Sequence, residues 1–148
     1  MTLDVRRAAI ADIDALLPLV SGYRSFYRQR VDERRERAFM SQHLTNGASV
    51  VFIAWNDARA VGFIQLFPTF STVHLGPGLI LEDLFVEPDA RGAGVATQLL
   101  DAANAYAREI GAVGMFLETA MDNATAQRVY ERNGWHREGL FVKYNAPL

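Results

Sequence analysis

Between Leu81 and Ala96 the chain reads Leu-Glu-Asp-Leu-Phe-Val-Glu-Pro-Asp-Ala-Arg-Gly-Ala-Gly-Val-Ala. An apolar strand runs into a turn at Pro88, then into a loop carrying Gly92, Ala93, Gly94 and Ala96, then into a helix start. Small residues let a backbone come close to a ligand, and the first amides of a helix point outward with partial positive charge. That combination is suited to phosphate. Just upstream stand Glu82 and Asp83, two carboxylates able to take a proton. On a regular strand neighbouring side chains face opposite ways, so only one of them is expected in a given site unless a bulge intervenes.

Three phosphate-binding schemes compete for this loop. A Walker-type loop needs Gly-Lys-Ser/Thr, and here Val95 follows Gly94. A dinucleotide unit starts its glycines at the strand end, whereas Glu87 to Arg91 intervene here. Its third glycine position is also occupied by Thr97, although Glu118 falls roughly where a ribose-binding acid belongs. The third scheme fits. Arg91-x-x-Gly94-x-Ala96, set after a strand and opening a long helix, resembles the Arg/Gln-x-x-Gly-x-Gly/Ala signature of the GNAT acetyltransferase superfamily. Further on, Asn123-Ala-Thr-Ala-Gln-Arg-Val-Tyr130-Glu-Arg-Asn-Gly134-Trp135 resembles that family's closing motif. The stretch Leu81 to Val86 with Arg91-Gly92 looks like the diamine (polyamine) acetyltransferase branch.

The resemblance implies acetyl-coenzyme A as co-substrate and no metal. Its diphosphate would sit on the loop amides of Arg91, Gly92, Ala93, Gly94, Val95, Ala96 and Thr97, with Asn123, Ala126 and Tyr130 also at the cofactor. The backbone at Leu84, Phe85 and Val86 would bulge away from its neighbour strand and pair with the pantetheine arm, the Leu84 amide facing the acetyl oxygen. Tyr130 matches the family's general acid, near the sulfur. A phenol near pKa 10 protonating a thiolate near 8.5 runs uphill by roughly 2 kcal/mol, so the hydroxyl acts mainly as a hydrogen-bond donor unless its pKa is lowered. Glu82 matches the acid of the polyamine branch and would take the ammonium's proton, through water; Asp83 is the other candidate in the acceptor site.

In the superfamily the loop between the first two helices and the segment before the glycine-motif strand shape the acceptor pocket. Here those are Tyr23 to Tyr27 and Phe70 to Gly78. Tyr23 and Tyr27 lie four apart, either an aromatic wall for an ammonium or an anchor of the helix to the core. His74 is either a local base or a solvated loop histidine. Residues 20–30 carry no acidic cluster of the kind a polyamine site would use.

The elements that must position these groups follow from pattern. Thr2–Ala8 reads as a strand; Ala11–Arg30 as a helix with a kink or two pieces at Pro18 and Gly22; Asp32–Leu44 as a helix ending near Asn46-Gly47. Ser49–Trp55 and Ala60–Phe67 form a hairpin turning at Asn56-Asp57, and Phe70–Gly78 reads as a loop. Leu79–Val86 is a strand and Gly94–Ile110 a helix with an apolar stripe. Gly114–Thr119 is a strand, Asn123–Asn133 a helix, and Trp135–Tyr144 one or two final strands. The expected fold is α/β (α+β), a single domain over 1–148 with a mixed, mostly antiparallel sheet of six to seven strands and about four helices.

Half of the 148 residues are hydrophobic, 22% are charged, and the formal charge is −2, which does not favour a nucleic-acid partner. The chain has no cysteine, hence no disulfide, thiolate metal site or acyl-cysteine route. With no signal-like or membrane-spanning stretch, a soluble cytoplasmic protein is expected. The arginines from Arg24 to Arg37, interrupted by Asp32, Glu33 and Glu36, read as a solvated helical face before a binding patch. The expected activity is transfer of acetyl from the thioester to a primary amine of a small molecule. The alternatives are a protein lysine or N-terminal acetyltransferase and a non-catalytic acyl-CoA-binding regulatory module. By analogy with relatives that dimerise, Phe141, Val142 and Tyr144 are expected to add strands across a homodimer.

Overall fold

A computed structural model describes residues 1–148. One sheet holds five strands in the spatial order β1 (Leu3–Arg7), β2 (Val50–Asn56), β3 (Arg59–Ser71), β4 (Gly76–Val86), β5 (Met115–Leu117). The first four pair antiparallel and β4 pairs parallel to β5. The helices are α1 (Ile13–Phe26), α2 (Glu33–Asn46), α3 (Val95–Glu109) and α4 (Ala124–Arg132). The chain groups into two compact units, Met1–Glu118 with the sheet and α1–α3, and Thr119–Leu148 with α4. No helix is long and apolar enough to cross a membrane.

Local chemistry sets the helix ends. Asp32 caps α2, its side chain accepting the Arg35 amide at 3.1 Å, and Gly47 closes it in the left-handed region at φ 70°. In the second unit Asn123 caps α4 through the Ala126 amide at 3.1 Å, with Asn133 and Gly134 at its end. A 3-10 turn at Ile10–Asp12 leads into α1, which continues through Pro18 and Gly22. Gly22 is needed for packing: a Cβ there would stand 2.7 Å from the tip of the Phe85 ring.

The sheet is covered on both faces within the first unit. Leu16, Leu19 and Val20 of α1 and Met40 of α2 form a core with Val51, Ile53, Phe63 and Phe85. Because strand side chains alternate, Gly62 looks to the other face, where Val95 and Leu99 of α3 lie against it. Burial of Val95, Leu99, Leu100 and Ala103 follows the stripe that the sequence shows.

Four expectations need correction. The sheet has five strands, because residues 135–148 form no strand and Phe141, Val142 and Tyr144 are exposed. Phe70–Gly78 is not a loop: Phe70 pairs with Pro77 and Ser71 with Gly76, leaving Thr72–Leu75 as the turn. The β2–β3 hairpin turns at Asp57-Ala58, since Asn56 and Arg59 already pair. The irregularity in β4 falls at Glu82, upstream of Leu84–Val86: Gln65 pairs with Asp83 and Leu66 with Leu81, so Glu82 is the extra residue of a bulge.

Candidate active site

After β4 a 3-10 turn at Pro88–Ala90 delivers the chain to Arg91, and Gly94 opens α3. Gly92 and Gly94 have φ of 82° and 81°, a region that costs other L-residues roughly 1–2 kcal/mol, and a Cβ at either would meet no protein atom within 4 Å. The Arg91 amide donates to the Pro88 carbonyl at 3.4 Å. From Gly92 to Thr97 no amide donates to a protein acceptor; the first bond of α3 runs from the Gln98 amide to the Gly94 carbonyl at 3.1 Å. No acidic side chain stands in the first turn. The amides from Gly92 to Thr97 are therefore left open at the start of α3, an arrangement that suits an anion, while the Arg91 amide is taken.

The strand leading there carries a free edge. The Glu87 amide donates to the Val61 carbonyl at 2.8 Å, so Glu87 faces β3. Alternation then turns Phe85 toward β3 as well, and Leu84 and Val86 away from it. On that outer side the ladder with β5 ends at the Leu81–Leu117 pair. The Val86 carbonyl accepts Arg91 Nε at 2.9 Å, and the Arg91 guanidinium lies 5.8 Å from the Phe85 ring centre. The Leu84 amide is thus a donor on an unpaired edge, whereas the Phe85 backbone belongs to the ladder with β3.

On the α1–α2 face lies a cavity of ≈ 650 Å³. The bulge brings both Glu82 and Asp83 to it, against the expectation that only one would enter. Gln65 Nε2 donates to Asp83 Oδ2 at 2.5 Å, and Ser49 Oγ donates to Gln65 Oε1 at 2.7 Å. Gln65 and Ser49 are only 2% and 3% exposed. Burial pushes the Asp83 carboxyl above its ordinary range, against the bond from Gln65, and the Glu82 charge adds to the rise. Tyr23 donates its hydroxyl to the Glu82 carbonyl at 3.1 Å, and burial with the nearby Asp83 charge pushes its pKa up, so it stays protonated. Its ring packs edge-on to Phe63 and Phe85 while Tyr27 stacks outside it at 5.1 Å, 48% exposed and off the cavity wall. Tyr23 is therefore both cavity wall and core anchor. His74 and Phe70, exposed near the β3–β4 turn, do not line the cavity.

Across from the acids, Glu36 is buried at 4% exposure. Its Oε2 meets Arg24 Nη1 at 2.5 Å and its Oε1 accepts Ser21 Oγ at 2.5 Å. Burial pushes its pKa up, but the bonds from Ser21 and Arg24 outweigh that and hold it below the ordinary value. Arg24 and Arg35 line the cavity, so part of the arginine run is wall and not only solvated face. Gln65 and Glu36 were not singled out from sequence. Gln65 had a signal: it is the one polar side chain in the run Val61-Gly-Phe-Ile-Gln-Leu-Phe67.

In the second unit Asn123, Ala126 and Tyr130 fall at spacings of three and four on α4 and its cap, one helical face. The Tyr130 ring centre is 6.1 Å from that of Trp135, and the Trp135 amide donates to the Tyr130 carbonyl at 3.0 Å.

Residues 14–135 match the model of the acetyltransferase (GNAT) family. The chain belongs to that family. It is 42% identical over 147 residues to an uncharacterized N-acetyltransferase, YhfO, of Bacillus subtilis (strain 168), covering 98% of this chain and 99% of that one. A crystal structure of a probable acetyltransferase shares 37% identity and a TM-score of 0.93 over 98% of this chain and 97% of the other. An aminoglycoside N-acetyltransferase solved in complex with CoA shares the fold, with a TM-score of 0.85 at 23% identity over 99% and 96% of the two chains. The GNAT fold here is a mixed sheet of five strands with four helices. As a GNAT protein the chain is an N-acetyltransferase.

Proposed function

We propose that this chain uses acetyl-CoA to acetylate a primary amine of a small molecule. The observation that carries the reading is the order of groups along β4: two carboxylates at the cavity, a free backbone edge, then the open amides of Gly92–Thr97. The seat fits a diphosphate, since its donors lack protein partners and its glycines leave open space where side chains would otherwise stand. Gly92, Ala93, Gly94, Val95, Ala96 and Thr97 would hold the diphosphate, Arg91 would add charge, and the outward groups of Leu84 and the Val86 amide would take the pantetheine amides. When bound, acetyl-CoA supplies an acyl group already activated as a thioester.

This chain's own residues supply the rest. The Leu84 amide is the donor for the acyl oxygen. An alkyl ammonium near pKa 10.4 must lose its proton before it attacks, and Glu82 and Asp83 receive it, burial having raised the Asp83 carboxyl above its ordinary range. Tyr130 hydrogen-bonds the departing sulfur, with Asn123 and Ala126 on the same face of α4. Without cysteine, attack by the amine is direct. A cavity of ≈ 650 Å³ is the size of a small-molecule pocket, which favours that acceptor class over a protein segment. Calorimetry with CoA and thiol release from acetyl-CoA over a panel of primary amines test the reading. Heat of binding and amine-dependent release are expected; no heat on folded protein refutes the donor site, and heat without release for any amine leaves the binding-module alternative.

A further inference from the structure

Three carboxylates and two guanidiniums line the cavity, and they are not equivalent. Glu36 is saturated: one oxygen accepts Ser21, the other accepts Arg24 and the Asp32 amide at 3.2 Å. It has no free charge to offer a ligand. Arg24 is paired with it, its Nη1 donating to Glu36 and to the Arg30 carbonyl at 2.7 Å. Arg35 has no acid within ion-pair distance, so the α1–α2 wall, with Arg24 and Arg35 against Glu36, is net positive toward the cavity. What remains for a cation is one place, the bulge with Glu82 and Asp83. The Asp83 carboxylate is aimed by Gln65, itself held by Ser49.

Around that one place the surface is apolar. Phe67 rises from β3 and Ile80 from β4, with Phe63 and Met40 buried beneath, and Phe39 stands at the rim, 51% exposed, stacked on His43 with ring centres 4.0 Å apart. A half-exposed phenylalanine at the mouth of a cavity with an aromatic floor suits an apolar ligand body. Polyamines and aminoglycosides carry several ammonium groups, and the sugars carry many hydroxyls besides. Here a second ammonium reaching away from the bulge would face Arg35, and hydroxyls would meet phenylalanine.

Resting on the acetyltransfer reading above, we infer that the acceptor is a monoamine with an aryl or branched-alkyl body, its ammonium received by Glu82 and Asp83 and its body by Phe39, Phe67 and Ile80. Charge and shape divide the labour: the bulge places the amine next to Leu84, and the aromatic wall selects what is attached to it.

The test is thiol release by the full chain with acetyl-CoA over matched amines: phenethylamine and isoamylamine, methylamine, spermidine, and an aminoglycoside. We expect kcat/KM for phenethylamine to exceed that for methylamine, spermidine and the aminoglycoside by at least about tenfold, the scale that a few buried methylenes provide. Phe39→Ala should raise KM for phenethylamine by about tenfold, a clearly larger factor than it does for methylamine. Arg35→Glu should improve spermidine relative to phenethylamine. A polycation used as well as or better than the aryl amine by the unaltered chain overturns the inference, as does Phe39→Ala affecting all amines alike. If no amine is turned over, thermal shift of the CoA-loaded protein decides: stabilisation by phenethylamine but not by spermidine supports the inference, and its absence overturns it. Heat of CoA binding, measured separately, tells whether the donor-site reading survives either result.

Discussion

Gly62 joins the stability of the fold to the proposed donor seat, and one methyl group tests the connection. It sits buried in β3 opposite Val86, and its φ lies outside the left-handed region, so alanine there suffers no backbone strain. The problem is space. An added Cβ would stand 2.9 Å from the Phe85 carbonyl oxygen, 3.2 Å from Val95 Cγ1 and 3.3 Å from Leu99 Cδ1. The two methyls can yield by a few tenths of an ångström, but the Phe85 carbonyl belongs to the β3–β4 ladder and cannot. Overpacking of this kind costs about 1–3 kcal/mol, offset by about 0.4–1 kcal/mol from the stiffer unfolded chain. The net loss of about 0.5–2 kcal/mol corresponds to a fall in Tm of roughly 1–8 °C at this chain length. Relief comes most easily by lifting the first turn of α3, which carries the Val95 and Ala96 amides, so CoA should bind several-fold more weakly by calorimetry. Gly139→Ala is the control, because a Cβ there meets nothing within 4 Å. If Gly62→Ala melts with Gly139→Ala and binds CoA as before, the close approach of α3 to β3 does not seat the loop as argued.

Glu36→Gln removes a buried charge and leaves Arg24 facing a neutral amide. We expect a loss of about 1–3 kcal/mol at neutral pH, below the full value for a wholly buried pair because Arg24 is 31% exposed. Since folding lowers the Glu36 pKa, its stabilisation is present above the ordinary value of 4.5 and fades as pH falls through the folded value, so denaturant melts of variant and parent should converge in acid. Asp83→Asn should do the reverse. Folding raises the Asp83 pKa, so its ionisation costs stability once pH passes above 3.8, and the variant should gain Tm over the parent as pH rises toward neutrality, while amine acetylation falls. A lower Tm for this variant at neutral pH would mean that Gln65 more than compensates the buried charge. Tyr130→Phe should lower turnover at least about tenfold with little change in CoA affinity, read by thiol release and calorimetry.

What was legible in the sequence is what local chemistry decides. Asp32 and Gly47 around α2, Gly94 before α3, and Asn123 with Asn133-Gly134 around α4 are capping residues whose effect stays within a turn of themselves, and each helix begins and ends within a residue or two of where they place it. The open amides after Gly92 and the left-handed glycines were readable for the same reason. Where partners distant in sequence decide, pattern misled. Gly76-Pro77-Gly78 looks like turn punctuation, yet the strand continues because the segment after α3 crosses it closely: a Cβ on Gly76 would lie 2.7 Å from Val113 Cγ1, and the Val113 amide donates to the Pro77 carbonyl at 2.7 Å. Trp135–Tyr144 has strand-like composition, but residues 135–148 pair with no strand, and propensity does not supply one.

The bulge at Glu82 matters most, because alternation along an isolated strand puts Glu82 and Asp83 on opposite faces and only the register against β3 reveals the added residue. That one residue does two things. It brings both carboxylates to the same cavity, and it falls where the pairing with β5 stops, so the downstream amides of Leu84 and Val86 keep a free edge. An unbroken ladder would take one carboxylate from the cavity and extend β5 pairing over the edge proposed to serve the donor. Glu82 therefore owes its place in the site less to its own side chain than to the displacement it forces on its neighbours.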